Sequence, residues 1–313
     1  MKLLVSRALP DSVMEAARAR FDVTCRDTTR PMDPGECREV LRDFDLILPT
    51  LGDAFGEDAF QGEIRARCLA NYGVGYNHID VAAARAAGLV VTNTPGAVTD
   101  ATADIALTLI LMTARRAGEG ERLVRSGGWQ GWHPVQMLGM HVTGRRVGIV
   151  GMGRIGQAVA RRCRDGFGMD VAFWNRSPKA VAGARQMGSL PELCASVDIV
   201  VITVAATPQT RHLIDAETLA AMAPHAILVN VARGDVVDET ALIAALRGGG
   251  IAGAGLDVYE HEPDVPEALR EIENVVLLPH LGTAALEVRE AMGRMALDNV
   301  VAVAEGRDPP NPV

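Results

Sequence analysis

The sequence predicts an α/β fold made of two doubly wound, parallel-sheet domains. Three observations carry that expectation. Short β-branched runs alternate with helical stretches along the whole chain. One of those runs leads directly into a Gly-x-Gly-x-x-Gly turn that opens a helix. A length of 313 residues suits about two domains.

In the middle of the chain the candidate strands are 147–150, 171–174, 199–204, 227–231, 253–258 and 275–278. Their spacing leaves room for a crossover helix between each pair, as parallel strands require. The first hundred residues repeat the pattern on a smaller scale, with strands expected at 3–6, 22–25, 46–49, 68–71 and 89–93. Five strands with helices between them predict a flavodoxin-like domain. Residues 99–116 follow as a helix apolar on most faces, expected to lie between the domains, and residues 285–304 form another that should return to the first domain. The domains are therefore expected at 1–98 with 286–313, and at 99–285. Two crossings of the chain would leave a cleft with two hinges.

Residues 146–156 read Arg-Val-Gly-Ile-Val-Gly-Met-Gly-Arg-Ile-Gly. An apolar strand, this turn and a helix together make a cradle for a dinucleotide pyrophosphate, the Rossmann arrangement. Gly151 permits the tight turn, Gly153 lets the backbone approach phosphate, and Gly156 lets the helix pack against the strand. Gln157–Cys163 makes a good helix start, whose free N–H groups and dipole favour an anion, with Arg154, Ile155 and Gly156 expected among the cofactor-binding residues. The second strand ends in Asn175-Arg176-Ser177, where an acid would otherwise bind the ribose 2′-hydroxyl of NAD. A guanidinium and a hydroxyl suit a 2′-phosphate. The expectation is thus NADP(H) in preference to NAD(H). The alternative keeps Arg176 as a solvated surface residue and gives the work to an acid such as Asp170, which stands at the wrong end of its strand.

Bulk properties narrow the partners. Net charge is −8, so nucleic acid and anionic membrane are not expected. The most apolar helix, 105–114, is too short to span a bilayer. Five scattered cysteines without a Cys-x-x-Cys pair suit reduced thiols in the cytoplasm. No His, Cys, Asp and Glu set has metal-ligand spacing.

A nicotinamide cofactor implies hydride transfer, and carbonyl reduction also needs a proton donor. Of seven histidines, His280 follows the last apolar strand, so it should face the cleft from a carboxyl strand end. Arg233 emerges from another buried strand and needs an anionic partner, either a substrate carboxylate or an internal acid such as Asp235 or Asp257. Glu262 lies past a third strand.

These segments, with Gly73-Val74-Gly75-Tyr76-Asn77-His78-Ile79-Asp80, Glu262-Pro263 and Pro279-His280-Leu281-Gly282-Thr283, make the chain resemble the D-isomer-specific 2-hydroxyacid dehydrogenases along essentially its whole length. Within that family it looks most like the glyoxylate/hydroxypyruvate reductases. The resemblance implies Arg233, Glu262 and His280 as the catalytic trio. Val74 and Gly75 would offer amides to the substrate carboxylate, alongside Arg233 and His280. Thr99, Val231, Asp257 and Gly282 would line the cofactor site, Asp257 holding the nicotinamide amide. It also implies a homodimer, with Trp129 and Trp132 on a dimerisation arm; local packing is the other reading of both tryptophans. The implied reaction reduces glyoxylate or hydroxypyruvate to the D-2-hydroxy acid, with Arg233 gripping the carboxylate, His280 donating the proton and Glu262 holding the other ring nitrogen. Rival readings are a phosphoglycerate, formate, phosphonate or aryl/alkyl keto acid dehydrogenase, and a dinucleotide-sensing corepressor that turns nothing over.

Overall fold

A computed structural model describes residues 1–313. The chain divides into two compact units, Met1–Val98 with Thr283–Val313, and Thr99–Gly282.

The first unit holds strands β1 (Lys2–Val5), β2 (Asp22–Cys25), β3 (Leu46–Leu48), β4 (Cys68–Ala70) and β5 (Val90–Thr92). All pair in parallel, in the order β2-β1-β3-β4-β5. Helices α1 (Asp11–Arg18), α2 (Pro34–Asp43) and α3 (Val81–Ala86) form the crossovers. Asp33 begins α2 with a capping box shared with Glu36, which satisfies two otherwise unpaired amides. The C-terminal helix Leu286–Ala304 packs on α1, β3, β4 and β5 of this unit, burying Ala296, Leu297 and Val300 among Leu3, Val5 and Val13.

The second unit opens with α4 (Thr99–Ala114) and α5 (Ala117–Arg125). Its strands are β6 (Arg146–Val150), β7 (Asp170–Trp174), β8 (Arg185–Gln186), β9 (Ile199–Ile202), β10 (Ile227–Asn230), β11 (Gly253–Leu256) and β12 (Val275–Leu277). The sheet is fully parallel and runs β12-β11-β10-β9-β6-β7-β8. Helices α6 (Arg154–Phe167), α7 (Leu190–Ser196), α8 (Ala216–Ala220), α9 (Glu239–Arg247) and α10 (Glu267–Arg270) cover it. Both faces are buried, which explains the unbroken apolar runs. Ile199 and Val201 enter the core with Leu109, Val159 and Cys163 of α4 and α6. Val200 and Ile202 enter the core with Leu193, Leu219 and Leu242 of α7, α8 and α9.

The structure departs from the expected elements in three places. A seventh strand, β8, joins the sheet edge; at two residues, Arg185 and Gln186, it has no hydrophobic run to announce it. Strands β9, β10 and β11 stop before Val204, Val231 and Val258, because the chain turns away once the ladder ends. Helix α4 ends at Ala114, two residues short of the expected end, where the chain turns at Arg116 (φ +52°); it packs on α6, β10, β11 and β12 of the second unit. No helix is long and apolar enough to cross a membrane.

Candidate active site

The sheet order of the second unit places a topological switch between β6 and β9, the position where open α/β sheets bind ligands beyond their carboxyl ends. The glycine turn sits there. Gly151 has φ +96°, and a Cβ on it would meet Val204 Cγ1 at 2.7 Å. A Cβ on Gly156 would meet the Gly151 carbonyl at 2.2 Å, so any side chain would drive α6 away from the turn. Around Gly153, by contrast, a Cβ finds nothing within 4 Å, which leaves the backbone open to a ligand. The N–H of Gln157 donates to the Gly153 carbonyl at 3.0 Å, while the amides of Arg154, Ile155 and Gly156 ahead of it find no backbone acceptor. Free donors, a helix dipole and open space fit a pyrophosphate. Thr203, just past β9, ties the switch together by donating from Oγ1 to the Gly151 carbonyl at 2.6 Å.

Beyond β7, Asn175 Nδ2 donates to the Ser177 carbonyl at 3.0 Å and to its Oγ at 3.3 Å. Arg176 and Ser177 are exposed. Thr99 is the first residue of α4.

The next strands along the same edge carry the polar residues. Asn230, the last residue of β10, shapes the Val231–Gly234 turn: its Nδ2 donates to the Arg233 carbonyl at 2.9 Å and its Oδ1 accepts from Ala232 N at 3.0 Å. Arg233 makes no salt bridge to Asp235 or Asp257. One terminal nitrogen donates to the Ala232 carbonyl at 2.7 Å, and the buried Nε has no hydrogen-bond partner. Burial pushes this guanidinium below its ordinary value, while Glu262 and Asp235 pull the other way. An incompletely paired, buried guanidinium is costly, and a carboxylate is its natural complement.

Gly234 brings the β10 and β11 loops together. A Cβ there would fall 1.8 Å from the Tyr259 carbonyl carbon, so only glycine allows this approach. Past β11, Glu262 accepts from Tyr259 N at 3.1 Å through Oε1, and its Oε2 pairs with His280 Nδ1 at 2.8 Å. Burial raises the Glu262 carboxyl, but His280, the Tyr259 amide and Arg233 outweigh it and hold the group below the usual carboxylate range. Tyr259 also ties the loop to the end of β12, donating from its hydroxyl to the Leu278 carbonyl at 2.9 Å.

His280 itself has φ +54°, uncommon for a residue with a side chain. Asp257 holds it there. The Asp257 carbonyl accepts from His280 N at 2.9 Å, and the buried carboxylate accepts from Leu281 N at 2.6 Å and Gly282 N at 2.7 Å. Burial raises the Asp257 carboxyl above its ordinary value. The structure therefore gives Asp257 a second task beside any contact with a cofactor: it shapes the loop that presents His280. Neither Tyr259 nor Asn230 could be picked out from sequence, since both work through backbone groups.

Val74 and Gly75 lie in the first unit, in the loop after β4. Asn71 and Asn93 clamp that loop by donating to the carbonyls of Gly73, Gly75 and Val74, and the Val74 and Gly75 amides donate to no acceptor in the protein. Trp129 and Trp132 are 51% and 78% exposed, with Val135 and Leu138 exposed beside them in sequence; Trp129 Nε1 donates to Gln136 Oε1 at 3.4 Å. The other histidines with carboxylate partners, His212 on Glu260 and His225 on Asp198, stand outside this constellation.

Residues 107–282 match the family model of the NAD binding domain of D-isomer specific 2-hydroxyacid dehydrogenases. Over 99% of its length the chain is 44% identical to a glyoxylate reductase of Thermococcus kodakarensis, covering 95% of that protein, and 42% identical to one of Pyrococcus furiosus, covering 94%. A solved structure from Thermus thermophilus superposes with a TM-score of 0.93 at 41% identity, each chain covered completely. An NADPH-dependent glyoxylate/hydroxypyruvate reductase from Sinorhizobium meliloti, solved with NADP and malonate, superposes with a TM-score of 0.89 at 36% identity, covering 100% of this chain and 96% of that one. The chain belongs to the D-isomer specific 2-hydroxyacid dehydrogenase family, and is an NAD(P)-dependent oxidoreductase of that family.

Proposed function

We propose that this chain reduces a small 2-keto acid, glyoxylate or hydroxypyruvate, to the D-2-hydroxy acid, with NADPH as the preferred reductant. The observation that carries this reading is the His280–Glu262 pair at 2.8 Å, beside an Arg233 whose Nε is buried and unpartnered. A bound nicotinamide supplies the hydride. Arg233 receives the substrate carboxylate and brings positive charge to the keto oxygen. With Nδ1 held by Glu262, His280 presents Nε2 to that oxygen and donates the proton as alkoxide charge develops. Glu262 fixes the ring and balances its charge, and Asp257 sets the backbone from which the ring projects. The free Val74 and Gly75 amides suit a carboxylate as well.

Asn175, Arg176 and Ser177, with no carboxylate among them, support NADPH. Exposed Trp129, Trp132, Val135 and Leu138 support a homodimer, and five free cysteines support the cytoplasm. The test follows absorbance at 340 nm with a panel of keto acids and both reduced cofactors. Turnover of glyoxylate and hydroxypyruvate with a higher kcat/KM for NADPH is expected; a preference for NADH, or for bulky aryl keto acids, would overturn the corresponding part of the proposal.

A further inference from the structure

The loop after β7 contains a cation that the glycine-turn motif does not announce. Lys179 extends its ammonium back to the turn, where Nζ donates to the Met152 carbonyl at 2.7 Å. Met152 is the residue between the first two glycines of the motif. Gly151 N donates to the Trp174 carbonyl at 2.9 Å, so the turn and the end of β7 are directly joined. Lys179 thus bridges the two segments between which an adenosine ribose is read in this fold.

The bridge is built by one side chain of the short edge strand. Gln186 Oε1 accepts from Lys179 N at 2.8 Å, and Gln186 Nε2 donates to the carbonyls of Asn175 and Ser177 at 3.2 Å each. With the Asn175–Ser177 bonds, these contacts fold residues 175–179 over β8. Lys179 is exposed, and ordering so long a side chain costs rotamer freedom. A single neutral carbonyl is modest compensation. No carboxylate pairs with Lys179, Arg176 or Arg154, although the chain carries a net charge of −8. Two of the three ammonium donors remain for something else.

We infer that Lys179, positioned by Gln186, is a second cation for the adenosine 2′-phosphate, so that discrimination between NADPH and NADH depends on Lys179 and Gln186 as well as on Arg176. The inference rests on the proposed use of NADPH and names a specificity residue for it. Phosphate would replace neither the Met152 contact nor the Gln186 clamp; it would take the donors left over.

Binding is measured by titration calorimetry with NADPH, NADH, and the fragments ADP-ribose and its 2′-phosphate, so that no turnover is needed. Lys179→Met should weaken NADPH and the 2′-phosphorylated fragment about tenfold, the size of one charge-assisted contact. NADH and ADP-ribose should change less than about twofold. Gln186→Leu should move NADPH in the same direction by less, and Lys179→Arg should restore part of the loss. Equal weakening of both cofactors by Lys179→Met would place the ammonium on the shared pyrophosphate and overturn the inference, as would no weakening of either. A wild-type protein that binds NADH as tightly as NADPH would overturn the NADPH reading and the inference together. A wild-type preference that survives Lys179→Met undiminished would overturn the inference alone.

Discussion

The two ends of the seven-stranded sheet treat charge in opposite ways. At the amino ends of β6, β9 and β10 the charges close on one another. The Asp198 carboxylate, almost fully buried, accepts from the Arg146 backbone N at 3.0 Å, from its Nε at 3.2 Å and from a terminal nitrogen at 2.7 Å, and pairs with His225 Nε2 at 2.8 Å. At the carboxyl ends the same sheet leaves Arg233 incompletely paired, holds His280 at positive φ and buries Asp257 against backbone amides. One edge satisfies its polar groups internally and steadies the fold. The other leaves a buried donor unsatisfied and one residue at positive φ, a combination that clusters at functional sites.

This contrast can be broken from either side. The largest effect should come from the carboxyl edge. His280→Ala should lower kcat for keto acid reduction by about 10³-fold, with the unfolding midpoint and NADPH affinity unchanged; a variant turning over near the wild-type rate would remove His280 as the proton donor. Arg233→Met should lower kcat/KM by about 10²-fold, since the proposed contact with the substrate carboxylate is lost. Its thermal midpoint should stay level or rise, because a buried guanidinium with an unpartnered Nε is removed. A large fall in midpoint would mean that Arg233 holds the fold, and the two edges would then differ less than the geometry says.

The amino edge should respond the other way. Asp198→Ala should cost about 2 kcal/mol in denaturant unfolding, with kcat within about twofold of wild type, no reacting group being touched. The sign with pH follows from the carboxyl itself. Arg146's hydrogen bonds hold it well below the usual range, burial opposes them, and His225 adds to the lowering. A depressed carboxyl stabilises the folded state above its unfolded value of about 3.9, and that stabilisation is lost as pH falls through the folded value. The stability gap between wild type and Asp198→Ala should therefore be full at pH 7 and narrow below about pH 4. A gap independent of pH would assign the loss to packing instead.

How much of this was legible before folding differs residue by residue. Eleven of the strands were expected from sequence, most of them as apolar runs because a strand buried on both faces must be apolar at nearly every position; the edge strand Asp22–Cys25 showed instead through its β-branched Val23 and Thr24. The twelfth, Arg185–Gln186, was not: an edge of two polar residues has no period to detect. The glycine turn and its helix were legible because both are local. His280 and Arg233 stood out only as polar residues just past apolar strands. The rest was hidden by distance along the chain. Asp257, Glu260 and Glu262 all lie within six residues, and it was the family resemblance, not any local pattern, that singled out Glu262 as the partner of His280. Likewise, Lys179 reaching Met152 spans 27 positions and depends on a side chain in β8.

By itself, then, the sequence determined the parallel α/β architecture, the dinucleotide turn and the family, since hydrophobic period and glycine spacing act over a few residues. The pairing of Glu262 with His280 was already implied by the family resemblance; tertiary structure alone decided that Arg233 is left without an acid and that Asp257 braces the histidine loop. Those outcomes depend on strand register and on loops brought together across the sheet edge, where a close approach such as Gly234 against Tyr259 selects one partner among several chemically equal ones.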